Sequence, residues 1–134
     1  TTRLKSGVSV KLRTLEQRGY YPGPVARGQA ILRDLVSSQD LDLQQIATRA
    51  GLSKFHFVRA FKEKTGMTPI RYLNSLRVDL AKQKLQRRAR PIIAIASDVG
   101  FTDLSAFNKA FKRHSGMSPT EYRNFFQADA AKKL

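Results

Sequence analysis

The sequence repeats itself. Residues 55–72 laid over 105–122, at an offset of 50, match Phe57 with Phe107, Ala60 with Ala110, Phe61 with Phe111, Lys62 with Lys112, Gly66 with Gly116, Met67 with Met117, Pro69 with Pro119 and Tyr72 with Tyr122. Upstream the offset becomes 49, pairing Ile46 with Ile95, Ala47 with Ala96 and Gly51 with Gly100, so the second copy has gained one residue between Gly100 and Phe107. Most matched positions are glycine, proline or apolar, the types that fix backbone and core. The copies therefore share a scaffold more than a surface.

Each copy reads as helix, tight turn, helix. In the first, Asp42 is a candidate N-cap with Gln45 at capping-box spacing, a short helix spans 43–50, and Gly51 supplies the turn. Ser53 then caps a helix over about 54–65, closed by Gly66. In the second copy Pro91 opens a helix over 92–99, Gly100 turns, Thr102 caps a helix over 103–114, and Gly116 closes it. Two short helices around a glycine-bearing turn are the helix-turn-helix pattern. Thr68-Pro69 and Ser118-Pro119 each place a cap before a proline at the first helical position, where its missing N–H costs nothing. The first starts a long helix over about 69–87, with Ile70, Leu73, Leu76, Leu80 and Leu85 at near-helical spacing, expected to join the units as a semi-rigid spacer. The second, with Glu121 completing a capping box, starts a terminal helix over about 119–127. An amphipathic helix over about 25–38, carrying Val25, Ile31, Leu32, Leu35 and Val36, packs under the first unit in this reading. The fold class is all-α, with about seven helices and two homeodomain-like units.

Composition narrows the function. The 134 residues hold 25 Lys plus Arg against 10 Asp plus Glu, a formal charge of +15, while 41% hydrophobic residues suffice for a packed core. Such an imbalance in a folded chain points to a polyanionic partner: nucleic acid, anionic membrane or an acidic protein. No window has the roughly 18 apolar residues needed to span a bilayer, and the first residues lack a secretory apolar stretch. With no cysteine, disulfides, thiolate zinc sites and thiol nucleophiles are excluded, and a reducing cytoplasm fits. His56 and His114 have no companions at metal-ligand spacing, and no phosphate-binding glycine loop, HExxH or Ser/His/acid pattern occurs. Neither a cofactor, a metal nor a catalytic residue is expected.

Helical geometry separates core from contact. At 100° per residue Phe57, Ala60 and Phe61 share one face of helix 54–65, and Phe55, Val58, Arg59 and Lys62 form the opposite stripe. Apolar side chains and cations mixed on one outward stripe suit a major groove, where the former meet thymine methyls and Arg bonds guanine O6 and N7. The alternative is that Phe55 and Val58 complete the core against helix 25–38. In the second copy Leu104, Phe107, Ala110 and Phe111 point inward; Ser105, Asn108, Lys109 and Lys112 point outward, with Ala106 at the edge. That stripe carries no Arg, so the second unit is expected to discriminate bases less. Residues 71–90 hold seven basic side chains (Arg71, Arg77, Lys82, Lys84, Arg87, Arg88 and Arg90) against Asp79. They read either as phosphate-neutralising groups, Arg71, Arg87 and Arg88 foremost, or as a solvated face. Helix starts near Gln44, Pro91 and Ile92 offer backbone N–H groups to phosphate.

The residues carrying these features have a familiar arrangement. IAIASDVGFTDLSAFNKAFKRHSGMSPTEYR, from Ile93 to Arg123, closely resembles the C-terminal signature of the AraC/XylS family of transcriptional regulators. LDLQQIATRAGLSKFHFVRAFKEKTGMTPIRYL resembles that family's first helix-turn-helix, and the likeness covers about residues 25–125. It implies an all-helical domain whose two halves are bridged by a long helix, and promoter binding that usually activates transcription through RNA polymerase. Matching positions to the family puts Lys54, Phe55, Val58 and Arg59 near the groove. The cysteine-dependent methyl-acceptor activity of some relatives is impossible here.

The resulting plan is an N-terminal extension or effector-domain remnant over 1–24, a first unit over 25–68, a linker helix over 69–90, a second unit over 91–127 and a tail over 128–134. Val8, Val10 and Leu12 alternate with polar residues like a short strand. The units are related by a tandem shift rather than a dyad, so one chain is expected to bind an asymmetric double-stranded promoter site as a monomer, in the bacterial cytoplasm. Dimerisation would fall to a missing N-terminal domain. RNA binding, membrane-surface binding and a protein-interaction role remain as rivals, the first disfavoured because the aromatics sit in helical cores rather than on a stacking platform.

Overall fold

In a computed structural model, residues 23–87 and 90–132 are described, with side chains described through Ala128. The strand-like alternation at Val8–Leu12 and the cation Arg88 lie outside them. Among the described residues the structure is all-α, with seven helices: α1 (Pro24–Asp34), α2 (Leu43–Ala50), α3 (Lys54–Thr65), α4 (Pro69–Leu85), α5 (Ile92–Asp98), α6 (Leu104–Ser115) and α7 (Pro119–Lys132).

The described residues divide into two compact units. The first takes the residues up to Leu35 together with Asp40–Leu73; the second takes Val36–Gln39 and the chain from Asn74 onward. In the first, Val25, Ile31 and Leu32 of α1 are buried with Ile46, Ala47 and Ala50 of α2, Phe57 and Phe61 of α3 and Leu73 of α4. Gly28 is required by this packing, because a Cβ there would lie 2.3 Å from Cε1 of Phe57. The second core is Val78, Ala81 and Leu85 of α4, Ile95 and Ala96 of α5, Val99 and Phe101 of the turn, and Phe107, Ala110 and Phe111 of α6.

The repeat extends further than the identities suggested. Tyr72 packs edge-on against Phe61 at 5.3 Å and Tyr122 against Phe111 at 5.5 Å. A cation on the first helix of each unit meets that tyrosine: Arg33 Nε donates to the Tyr72 hydroxyl at 2.9 Å, and Lys82 Nζ lies 5.8 Å from the Tyr122 ring. Thr65 and Ser115 close the recognition helices alike, each hydroxyl donating to the carbonyl four residues back (Phe61, Phe111) and lying 3.0 Å from that of Met67 or Met117. The start of α4 is thus the closing helix of one unit, and its remainder is the opening helix of the other. It contributes buried side chains to both cores, Leu73 to the first and Val78, Ala81 and Leu85 to the second.

Several boundaries differ from expectation. Helix α1 ends at Asp34 rather than near residue 38, and the carbonyls of Val36 and Ser38 beyond it accept from Arg77. Helix α6 is capped by Asp103, whose carboxylate accepts from the Ser105 N–H at 2.9 Å, and not by Thr102. Leu104, expected to point inward, is the first residue of that helix and is 39% exposed. Helix α4 stops at Leu85; Ile70 is 46% exposed, while Val78 and Ala81, outside the expected stripe, are fully buried. The terminal helix continues past residue 127 to Lys132, through the strong helix formers Ala128, Ala130 and Ala131.

Candidate nucleic-acid interface

The two turns explain the repeat's change of offset. Gly51 N–H bonds the Thr48 carbonyl and Leu52 N–H that of Ala47; Gly100 and Phe101 make the same bonds to Ser97 and Ala96. Leu52 therefore corresponds to Phe101, and Ser53 to Asp103, which leaves Thr102 as the inserted residue. Both glycines take positive φ, +89° at Gly51 and +102° at Gly100, a conformation an L side chain resists. Downstream of each turn one side-chain cap fixes the start of the recognition helix: Ser53 Oγ accepts from the His56 N–H at 3.2 Å, and Asp103 serves α6.

On α3, Lys54, Phe55, Arg59 and Lys62 are exposed, Phe55 at 67%, and Val58 is half-buried. Val58 accordingly divides its surface between the core and the outward stripe; Phe55 does not complete the core. The Arg59 guanidinium carbon sits 5.0 Å from the Phe55 ring centre, a stacking that limits the arginine's rotamers before any partner arrives. His56, at the N-terminal end of the same helix, shares a 3.1 Å hydrogen bond with Ser53 Oγ. On α6, Ser105, Ala106, Asn108, Lys109 and Lys112 are all exposed. Asn108, Lys109 and Lys112 line a shallow groove with Arg113 and with Ser118, Pro119 and Thr120 of the α7 start. Arg113, one residue past Lys112, is exposed and brings an arginine to the edge of a stripe that carries none of its own.

The basic residues around α4 do not act as one set. Arg71 and Arg87 are exposed. Arg77 is a correction to the phosphate reading: it is 8% exposed, and burial draws its pKa down from the ordinary arginine value. It shares the inward face of α4 with Leu73, Val78, Ala81 and Leu85, a face that the expected stripe of Ile70, Leu73, Leu76, Leu80 and Leu85 did not mark. Arg90 forms a two-pronged pair with Asp98, Nε to Oδ2 at 2.8 Å and Nη2 to Oδ1 at 2.6 Å. The hydrogen bond from Arg90 holds the Asp98 carboxyl below its usual range and raises Arg90 in turn. The Gln44 N–H is used by its own cap, Asp42 Oδ1, at 2.9 Å, and Pro91 caps α5 without a side-chain hydrogen bond. Among the described residues, no helix is long and apolar enough to cross a membrane, and no group of three or more His, Cys, Asp or Glu could hold a metal ion.

Comparison with known proteins accounts for this arrangement. A family model described as a helix-turn-helix domain matches residues 46–124. The regulatory protein SoxS of Escherichia coli (strain K12) is 31% identical over 87 residues, covering 60% of this chain and 81% of that protein. The chain belongs to the AraC/XylS family. Another relative, the RCS-specific HTH-type transcriptional activator RclR of Escherichia coli (strain K12), is 37% identical over 67 residues, 50% of this chain and 24% of that protein. The chain spans about a quarter of the length of several curated relatives that it matches. Among solved structures, the DNA-binding domain of AdpA in complex with a target DNA matches with a TM-score of 0.71 and 30% identity, over 81% of this chain and 96% of that one. The chain is thus an AraC-type, DNA-binding transcription-regulator domain rather than an enzyme.

Proposed function

We propose that the chain reads one asymmetric promoter site with both recognition helices, α3 and α6, in two adjacent stretches of major groove. The supporting observation is that the copies keep the same turns and matching core positions while their exposed stripes diverge, a stacked Phe55–Arg59 pair on α3 against Ser105, Asn108 and Lys109 on α6. Arg59, Lys54 and Lys62 act with Phe55 and Val58 on one half-site. Asn108, Lys109 and Lys112 act with Ser105 and Ala106 on the other. Arg bonds guanine, Asn an adenine edge, and Lys guanine or phosphate. Arg71, Arg87 and Arg88 neutralise phosphates, and the helix start near Gln44 lies against the DNA backbone. Two grooves on one DNA face repeat at about 34 Å, so the site is about 20 bp long and is bound by a monomer. The protein acts on promoters in the bacterial cytoplasm as an activator working with RNA polymerase; the name of its relative RclR, a transcriptional activator, supports that direction.

Selection from random duplex DNA followed by footprinting tests the reading. Arg59→Ala is expected to relax preference at particular base pairs of the recovered site, whereas Arg87→Ala weakens specific and random DNA alike. Equal losses on both DNAs for both variants would overturn the assignment of roles. Transcription in vitro from the recovered promoter, with and without the chain, decides between activation and repression.

A further inference from the structure

Arg77 is a buried cation whose hydrogen bonds go to backbone. Nε donates to the Val36 carbonyl and Nη2 to the Ser38 carbonyl, both at 2.7 Å. A core position on α4 could hold leucine or methionine with no desolvation of a charge. What arginine adds is a rigid fork of donors that reaches two carbonyls of the segment Val36–Gln39 at once. Its other side faces the turn of the second helix-turn-helix. Gly100 is so close that a Cβ there would lie 2.9 Å from Nε and Nη2, and the guanidinium carbon sits 5.3 Å from the centre of the Phe101 ring. Phe101 in turn packs edge-on against Phe107 of α6 at 5.4 Å.

The same segment holds the turn from the solvent side. Gln39 Nε2 lies 3.2 Å from Ser97 Oγ, 3.4 Å from the Ser97 carbonyl and 3.4 Å from the Phe101 carbonyl. Arg77 and Gln39 thus bracket the turn that carries the extra residue Thr102. The first unit is built differently at the matching place. The offset of 49 that relates Arg33 to Lys82 also relates Gly28 to Arg77, and there the Phe57 ring fills the space directly.

We infer that Arg77 and Gln39 are positioning residues for DNA reading by α6, setting the aim of Ser105, Asn108 and Lys109 without touching DNA. The inference rests on the proposal that α6 reads its own half-site. The experiment is a base-by-base binding scan across the selected site, using the whole chain, alongside thermal melts. Arg77→Met keeps the volume and an apolar contact with Phe101 but removes both hydrogen bonds; Gln39→Ala alters an exposed side chain and leaves the core intact. Both variants are expected to lose preference in the half-site assigned to α6, by about tenfold at one or more base pairs for Arg77→Met and by less for Gln39→Ala. Preference in the α3 half-site is expected to stay at the wild-type level at temperatures where each variant is folded. A residue that merely stabilises the fold would lower the melting temperature without this asymmetry. Should Arg77→Met fail to fold, Gln39→Ala carries the same comparison. Two recognised stretches for the wild type, combined with unchanged or evenly reduced preference in the variants, would overturn the positioning role alone. A wild-type scan with one recognised stretch would overturn the half-site reading and the inference together.

Discussion

Arg59 and Arg77 carry the same guanidinium into two environments, and the ring each stacks on marks the difference. Arg59 lies over an exposed Phe55 and keeps its donors for a partner, while Arg77 lies over a buried Phe101 with donors committed to carbonyls. Glycine shows the complementary constraint. At Gly28 the backbone is ordinary helix, but the Phe57 ring occupies the space where a side chain would begin, 2.3 Å from an ideal Cβ. Gly28→Ala would normally gain helix propensity; here the ring or the helix must shift, and overpacking of this kind costs about 1–3 kcal/mol. Urea denaturation of that variant is expected to show a loss in this range. A gain would mean that the α1–α3 packing has room the structure does not have. Residue type and spacing made Phe57 legible as core, but no one-dimensional pattern reveals that its ring is seated on Gly28.

Caps belong to the element, and the second recognition helix shows how an adjacent pair of capping residues misleads. Thr102 and Asp103 are both acceptable N-caps, yet Asp103 is the one bonded to the Ser105 N–H. Asp103→Ala is expected to destabilise the protein by about 1 kcal/mol, and Thr102→Ala by under about 0.5 kcal/mol, a contrast that equilibrium unfolding resolves. The repeat already held the answer, since the offset of 50 carries the cap Ser53 onto Asp103; the first unit's turn had simply to be used as the template. The capping box at Ser118 and Glu121 was legible outright, and both of its bonds form, Glu121 N–H to Ser118 Oγ at 3.1 Å and Ser118 N–H to Glu121 Oε1 at 3.3 Å. Helix α4 was harder for a physical reason. Counting apolar spacing along its 17 residues assumes one packing partner, whereas residues up to Leu73 serve one unit and those from Asn74 the other. Helix α5 has no side-chain cap, and Arg90–Asp98 joins the residue before its N-cap to its last residue. Because the folded Asp98 carboxyl titrates below its ordinary value, near 3.9, the contact contributes above that value and is lost as pH falls through the lower one. Asp98→Asn is therefore expected to lower stability at neutral pH and to flatten its decline between about pH 5 and pH 2. Unfolding midpoints measured across that range should converge for variant and wild type at the acid end.

At the scale of the whole chain, a formal +15 overstates what is free to meet phosphate. Arg77 is buried, Arg90 is paired with Asp98, Arg33 bonds Tyr72, and Arg123 donates to the carbonyls of Leu85 and Arg90. Lys82 lies against Tyr122. Each of these cations is engaged inside its own unit, whereas Lys54, Arg59, Lys62, Arg71, Arg87, Lys109 and Lys112 are exposed. Composition made a polyanionic partner legible but could not separate the two groups, since each bears the same charge and burial is a property of the fold. Salt dependence does separate them. Each phosphate neutralised contributes about 0.9 to the slope of log K against log salt, so six to ten contacts would lower affinity by about 10³–10⁵ between 50 and 200 mM salt. Arg87→Gln is expected to reduce that slope by about 1 on specific and random duplexes alike. Arg123→Gln leaves the slope unchanged while lowering the unfolding midpoint, because its guanidinium is already engaged by backbone carbonyls. An equal change of slope for both would mean that engagement within the fold does not decide which cations the DNA sees.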